Sequence, residues 1–392
     1  MNKNHKSSLS SLAFIMPLAL FLAVFFAAPL YVMMSAAVSD AIASQALPRT
    51  VQALADWNGE AMPTLTAQAA FAQDIHEIKD DQLFGDLVRR LNSAKPGFRT
   101  LMSKTRMALR SDLPAGDLSD IDSRWSDPTF WQAIKSATAS TVTDRNLLAA
   151  VDLERSTTGD IQAMPAGSSS NRRTLARTFE VSLYVTLACL LIGLPYAMVV
   201  SSTQGWKRQL MLVAVLLPLW TSLLVRTAAW FILLQDNGLI NSTLMALGLI
   251  SGPLPLIFNR TGVIIAMTHV LLPFMVLPIF SVLIGIPKNL MPAAASLGAP
   301  PLRAFWKVLL PLSMRGVVSG LLLVFMSAIG YYITPALIGG AQDQMISSVI
   351  AYYATGAANW AMAGALGIVL LVATMILYSV YLRLSSDQQV RT

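Results

Sequence analysis

Six apolar runs, each near the roughly 20 residues needed to cross about 30 Å of hydrocarbon, dominate this chain. They lie at Ser7–Ser39 (core Leu12–Val38) and at about residues 178–202, 210–234, 262–286, 309–330 and 362–382. Inside lipid every backbone polar group needs an internal partner, which leaves helices or closed barrels as spanning structures. Runs of this length are helical spans rather than alternating strands. The chain is 55% hydrophobic and 12% charged, where a soluble protein carries roughly a quarter charged residues. The expectation is an all-α membrane protein with six transmembrane helices.

The first run follows the basic prefix MNKNHK. Its apolar core exceeds the roughly 7–15 apolar residues of a signal peptide, so it reads as a retained anchor. The third run is interrupted by Arg226, and the segment after Gly330 is rich in Gly, Pro and Tyr. Both features point to broken or re-entrant backbone covered by protein or lining a cavity. Pro218, Pro273, Pro278 and Pro335 are expected to break or kink their spans, as in transporters whose half-helices line a path.

Charge sets the orientation. Residues 36–173 hold 15 Lys/Arg against 17 Asp/Glu, whereas the rest of the chain holds 13 against four. Short-loop basic residues (Lys3, Lys6, Lys207, Arg208, Lys288, Arg303, Lys307, Arg315, Arg383, Arg391) all fall on one side once both termini are placed in the cytoplasm. This is topology rather than a nucleic-acid footprint, despite the net charge of +7. The expected division is 1–38 for the N-terminus and first span, 39–173 for an external domain, 174–384 for a five-helix membrane core, and 385–392 for a cytoplasmic tail. Within the external domain Gln73–Ala94, Asp127–Ala137 and Thr143–Ser156 carry helical apolar spacing, and Met164–Arg173 reads as a hinge.

Several chemistries are excluded. The single Cys189 rules out an intrachain disulfide and a thiolate cluster, and the three histidines have no second ligand at metal spacing. No phosphate-binding G-x-x-x-x-G-K-[ST] loop occurs, nor H-E-x-x-H, nor G-x-S-x-G. Channel, transporter and structural membrane subunit remain. A sensor or scaffold leaves six spans unexplained. A proton-coupled secondary transporter has only His269 and Arg226 inside its spans and no internal repeat.

One loop between spans, residues 287–311, is unusual. Ala293, Ala294, Ala295, Ser296, Leu297, Gly298 and Ala299 form a short small-faced helix stopped by Pro300-Pro301, and Leu302, Phe305, Trp306, Leu309 and Leu310 open a new helical stripe. Small side chains let another backbone approach closely, although an interfacial connecting helix has the same composition.

The pattern Ala293-Ala294-x3-Gly298-x9-Val308-Leu309-Leu310-Pro311 resembles the EAA-loop signature of ABC importer permeases, with Pro292 in place of the motif's acidic residue. Pro218–Asn241, Leu271–Leu283 and Ile333–Gly340 resemble the spermidine/putrescine branch, and the likeness extends over Arg177–Leu384. It implies the type I ABC importer permease fold in a bacterial inner (plasma) membrane, with residues 293–299 as the coupling helix. It implies as partners a cytoplasmic ATPase dimer that holds ATP and Mg, a second permease subunit in a heterodimer, an external solute-binding protein, membrane lipid and a small-molecule substrate. It implies no catalytic residue, cofactor or metal on this chain. A polyamine is the implied solute; a zwitterionic or anionic amino-acid derivative such as an opine is the alternative.

A cation in a span costs about 2.5–3.5 kcal/mol on insertion scales and faces a bundle interior or an aqueous path. Ser222 and Trp230 lie four residues either side of Arg226, which places hydroxyl, guanidinium and indole on one helix face. Arg226 is a path residue or a staple between helices. Trp220, Asp236, Tyr331, Tyr332 and Pro335 complete the candidate path or gate, and His269 reads as a packing residue. The triplet Gly330-Tyr331-Tyr332 stands where the branch carries G-E-[FY]. No Asp or Glu occupies a span core; Asp236 and Asp343 are the acids nearest the outer mouth.

Overall fold

A computed structural model describes residues 15–111, 117–139, 142–156, 160–165, 167 and 170–389. The chain divides into two compact units, one running to Leu148 and the other from Ala149.

The first unit begins with the apolar helix α1 (Ile15–Ala36), none of whose residues is fully buried. Four longer helices follow: α2 (Leu65–Glu77), α3 (Asp81–Ala94), α4 (Phe98–Ser111) and α5 (Pro128–Thr138). The stretch Gln73–Ala94, read above as one helical segment, is two helices. Ile78 turns extended and the Asp80 carboxylate accepts from the Gln82 N–H, capping α3. Asp127 caps α5 in the same way through the Thr129 N–H. The core of this unit is aromatic: Phe71, Phe98, Trp125 and Trp131 are fully buried, with Trp125 and Trp131 ring centroids 5.0 Å apart. Both indoles are satisfied, Trp125 by Thr105 Oγ1 at 2.9 Å and Trp131 by the Trp125 carbonyl at 3.0 Å, as buried Trp N–H groups require. Two carboxylates are buried here. Asp74 accepts from the Thr50 N–H and hydroxyl at 2.8 and 2.7 Å. Asp40 takes both oxygens to Arg90 Nε at 2.6 and 2.7 Å.

The second unit opens on a short hairpin, β1 (Leu153–Arg155) paired antiparallel with β2 (Ile161–Ala163). The expected helix over Thr143–Ser156 therefore covers only Arg145–Ala150; the chain turns at Asp152, whose φ of 55 ends it. The Asp152 carboxylate accepts from the N–H groups of Ser170, Asn171 and Arg172 at 3.1, 3.0 and 2.8 Å. These are donors at the start of α6 (Asn171–Ser202), which have no helical partner of their own. The expected hinge at Met164–Arg173 is thus held at its helical end.

Beyond α6 come α7 (Trp206–Trp220), α8 (Leu223–Leu233), α9 (Leu239–Ala246), α10 (Arg260–Gly285) and α11 (Leu290–Ser296). They are followed by α12 (Pro301–Ile329), α13 (Ile333–Ile338), α14 (Ile346–Ala351) and α15 (Trp360–Gln389). Among the described residues α1, α6, α10, α12 and Trp360–Ser379 are each long and apolar enough to cross a membrane. A sixth apolar segment is a bent pair of helices, either a broken span or a re-entrant loop. Its break lies at Thr221–Ser222, ahead of Arg226, and α7 and α8 meet there at 101°. Pro273 and Pro278, expected to break or kink their span, both lie within α10 and do not break it. The segment after Gly330 is broken as expected, into α13, α14 and single turns of 3-10 and π-helix. A further π turn, Phe305–Leu309, is built into α12.

Three helices make the membrane core. Contacts at Glu180/Arg260 and Cys189/Thr268 set α6 parallel to α10, and contacts at Gly316/Ile279 and Gly320/Met275 set α12 antiparallel to α10. Gly316-x-x-x-Gly320 lets the backbones close up without a hydrophobic drive, which lipid does not supply. A Cβ on Gly316 would lie 2.8 Å from the Pro278 carbonyl and 2.9 Å from Ile279 Cα, both backbone atoms. Gly316→Ala is therefore expected to destabilise the solubilised protein by about 1–3 kcal/mol, the usual cost of overpacking. Gly285→Ala, whose Cβ meets nothing within 4 Å, should melt like the parent in the same thermal assay.

Candidate functional site

Helix α11 is seven residues long and presents small side chains to its surroundings. Ala293, Ala295, Ser296 and Leu297 are exposed, Leu297 by 89%, while Ala294 and Ala299 are half-buried. Gly298 ends the helix in the left-handed region (φ +80), with its N–H on the Ala295 carbonyl at 2.9 Å. The Ala299 N–H reaches the Ala294 carbonyl at 3.0 Å, completing a Schellman closure that favours glycine at this position. Pro292 fits because it lies in the first turn, where an N–H has no helical acceptor. Its carbonyl accepts the Ser296 hydroxyl at 3.1 Å.

The second feature is the bent span. Trp220 ends α7 and is 74% exposed; Ser222 is the exposed first cap of α8 and makes no side-chain cap bond. Bending frees backbone carbonyls at membrane depth, where each orphan costs several kcal/mol. Two side chains answer this. The Thr221 hydroxyl donates to the Pro218 carbonyl at 3.0 Å, and Arg226 Nη2 donates to the Thr221 carbonyl at 2.8 Å, with Nε 3.4 Å from Thr221 Oγ1. Arg226 thus turns back onto the carbonyl end of α7, where a cation also complements the helix dipole. Arg226→Leu removes an insertion cost of about 2.5–3.5 kcal/mol and a charge-assisted bond of about 1.5–3 kcal/mol. We expect that variant to reach the membrane in normal amount but melt lower, with Arg226→Lys intermediate, as read by thermal unfolding in detergent.

One helical turn further, Trp230 Nε1 donates to His269 Nδ1 of α10 at 3.1 Å, with ring centroids 5.3 Å apart. Thr227 of α8 meets Thr334 of α13 through buried hydroxyls 3.2 Å apart. The bent pair is therefore tied to α10 and to the short α13. Arg226, Ser222 and Trp230 share a side of the helix, yet Arg226 bonds to Thr221 and Trp230 to His269 rather than to one another. Tyr331 is half-buried against the membrane core, Tyr332 is exposed, and Pro335 is buried in the first turn of α13. Asp236 lies exposed in the turn after α8. Asp343 is not a free acid: Arg260 reaches it at 3.4 Å while also pairing with Glu180 at 3.0 Å.

Residues 184–390 match the family described as binding-protein-dependent transport system inner membrane component. The chain belongs to that family. It is a multi-pass inner-membrane permease, the membrane-embedded subunit of an ABC transport system. The spermidine/putrescine transport system permease protein PotB of Escherichia coli (strain K12) is 35% identical over 54% of this chain and 77% of its own length. The PotB protein of Haemophilus influenzae is 35% identical over 53% and 72%. Among solved structures, a bacterial ABC transporter involved in import of the acidic polysaccharide alginate aligns with 54% of this chain and 79% of its own. It shares 17% identity, with a TM-score of 0.42.

The permease's loop and bent span both lie within the matched region, and the first unit lies outside it. Sequence reasoning missed Thr221 and the indole that His269, read as a packing residue, accepts from. A threonine at a helix break carries no periodic signal, and a lone histidine on an apolar helix gives no hint of which indole it faces.

Proposed function

We propose that this permease carries a small polycation of the polyamine type inward, as one half of a pore completed by a second, homologous permease subunit. The observation that carries this reading is its 35% identity to spermidine/putrescine permeases over 77% of their length. An external binding protein delivers the solute. A cytoplasmic ATPase dimer, holding ATP and Mg, drives the cycle, and both termini of this chain lie in the cytoplasm.

Residues Ala293–Ala299 receive the motion of the ATPase. Support comes from their exposure, the glycine-closed helix end, and the continuity of this loop with α12, which packs on α10 through glycines. The solute passes the surface formed by Trp220, Ser222, Trp230, Tyr331, Tyr332 and Pro335, where indole and phenol faces hold ammonium groups by cation–π attraction. Asp236 is the acid available near the entrance. A cation at Arg226 repels such a solute, and this favours the anionic alternative at first sight. Its guanidinium is committed to the Thr221 carbonyl, and that engagement supports a bracing role instead.

The test is reconstitution of the complex with its ATPase and binding protein, followed by solute-stimulated ATP hydrolysis. Putrescine or spermidine should stimulate hydrolysis several-fold. Stimulation by an opine or another zwitterionic solute alone would replace the polyamine reading. Uptake driven by a proton gradient without ATP would remove the ABC mechanism altogether.

A further inference from the structure

The first unit contains a cavity of about 280 Å³ where the end of α2, the connector after it and the last turns of α4 come together. Its walls carry His76, Lys79, Arg106 and Arg110 over the apolar side chains of Ile75 and Ile78, and among the described residues no acid lines it. That concentration of cations stands out because residues 36–173 carry more acids than bases. Helix ends explain part of it. His76 and Arg110 sit in the last turns of α2 and α4, where cations complement the helix dipole. Lys79 and Arg106 have no such reason: Lys79 is on the connector, and Arg106 is a turn inside α4.

Arg106 is also held in place. Its Nη2 donates to the Asp81 carboxylate at 2.7 Å and to the Ile78 carbonyl at 3.3 Å, and its guanidinium lies 4.2 Å over the Phe84 ring. Those bonds use one nitrogen, which leaves the rest of the guanidinium fork for a ligand. The wall opposite is pinned by His76 Nδ1, which donates to the Leu109 carbonyl at 2.8 Å. A fixed guanidinium backed by a carboxylate is a preorganised oxyanion receptor, because little rotamer entropy remains to be lost on binding. Lys79 and Arg110 add two exposed positive charges beside it.

We propose that this cavity binds a multiply charged oxyanion of the phosphate type, gripped by Arg106 and neutralised by Lys79 and Arg110. Two sources share that chemistry, a soluble phosphate compound and a phospholipid headgroup.

The experiment uses the full chain in nanodiscs of phosphatidylcholine, titrated with inorganic pyrophosphate at constant ionic strength and followed by calorimetry. Saturable binding at one site is expected, weakened tenfold or more by the double substitution Lys79→Gln/Arg110→Gln. Arg99→Gln, which removes an exposed cation of α4 outside the cavity, should bind within twofold of the parent. Far-UV circular dichroism checks that the variants keep their helices. Absence of saturable binding, or a double variant that binds as tightly as the parent, overturns the proposal. Repeating the titration with a third of the lipid as phosphatidylglycerol assigns the source. A several-fold loss of pyrophosphate affinity in the parent alone supports the site with a headgroup as occupant; no change supports it with a soluble phosphate.

Discussion

Gly298→Val should abolish coupled uptake, lowering solute transport tenfold or more while the protein still inserts and folds. Gly298 sits at φ +80, and a Cβ there meets no atom within 4 Å. The substitution is therefore penalised by backbone strain alone, about 1–2 kcal/mol for a side chain in the left-handed region. Relief of that strain re-forms the end of α11 and moves Leu297, the most exposed apolar side chain of the loop. Coupling between sites amounts to about 1–3 kcal/mol, so strain of this size is enough to uncouple. Three readings decide it: membrane content by immunoblot, ATP hydrolysis, and solute uptake. Content should hold, hydrolysis should lose its response to the loaded binding protein, and uptake should fall. Full uptake in this variant would remove the coupling role from residues 293–299.

Asp40→Ala should cost about 3–5 kcal/mol, the usual loss when one partner of a buried ion pair is removed. Asp40 and Arg90 are 8% and 10% exposed, and both Asp40 oxygens are engaged by Arg90 Nε. Arg145 adds to the effect. Burial, and then the charge of Arg90, push its ionisation below the ordinary arginine value, and the Asp40 charge opposes them. Without Asp40 the half-buried Arg90 loses its carboxylate and still feels the charge of Arg145. A large drop in unfolding temperature is expected for the full chain in detergent, partly restored in Asp40→Ala/Arg90→Leu, where the cation goes with its partner. A single variant as stable as the parent would show that water already compensates the pair.

The spans and the loop were legible in the sequence because each rests on a local pattern. Twenty apolar residues need no partner to announce a crossing, and Gly298 with Pro300-Pro301 marks a helix end wherever it lies. The bend at Thr221–Ser222 was misplaced onto Arg226, since the charge is visible in sequence and the break is not. Arg226 is the response to that break, reaching five residues back. Pro273 and Pro278 do not break their span: inside α10, packed by α6 and α12, the helix stays continuous despite two missing donors. The hairpin after Asp152 and the split between α2 and α3 are too short for periodicity to register. The pairing of Trp230 with His269, 39 positions apart, is fixed by tertiary packing alone.

The π turn at Phe305–Leu309 gives the spacing between the loop and its span a mechanical meaning. One extra residue in that turn rotates all that precedes it by about 100°, the angular step of one residue in an α-helix. It therefore sets the phase between the exposed face of α11 and the glycine face of α12 that rests on α10. Removing one residue from 305–309 would restore regular helix and leave the span as apolar as before, yet the loop would face a different quarter. On the coupling role proposed for residues 293–299, the nine-residue interval between Gly298 and Val308 would fix the direction in which a push on the loop reaches α12.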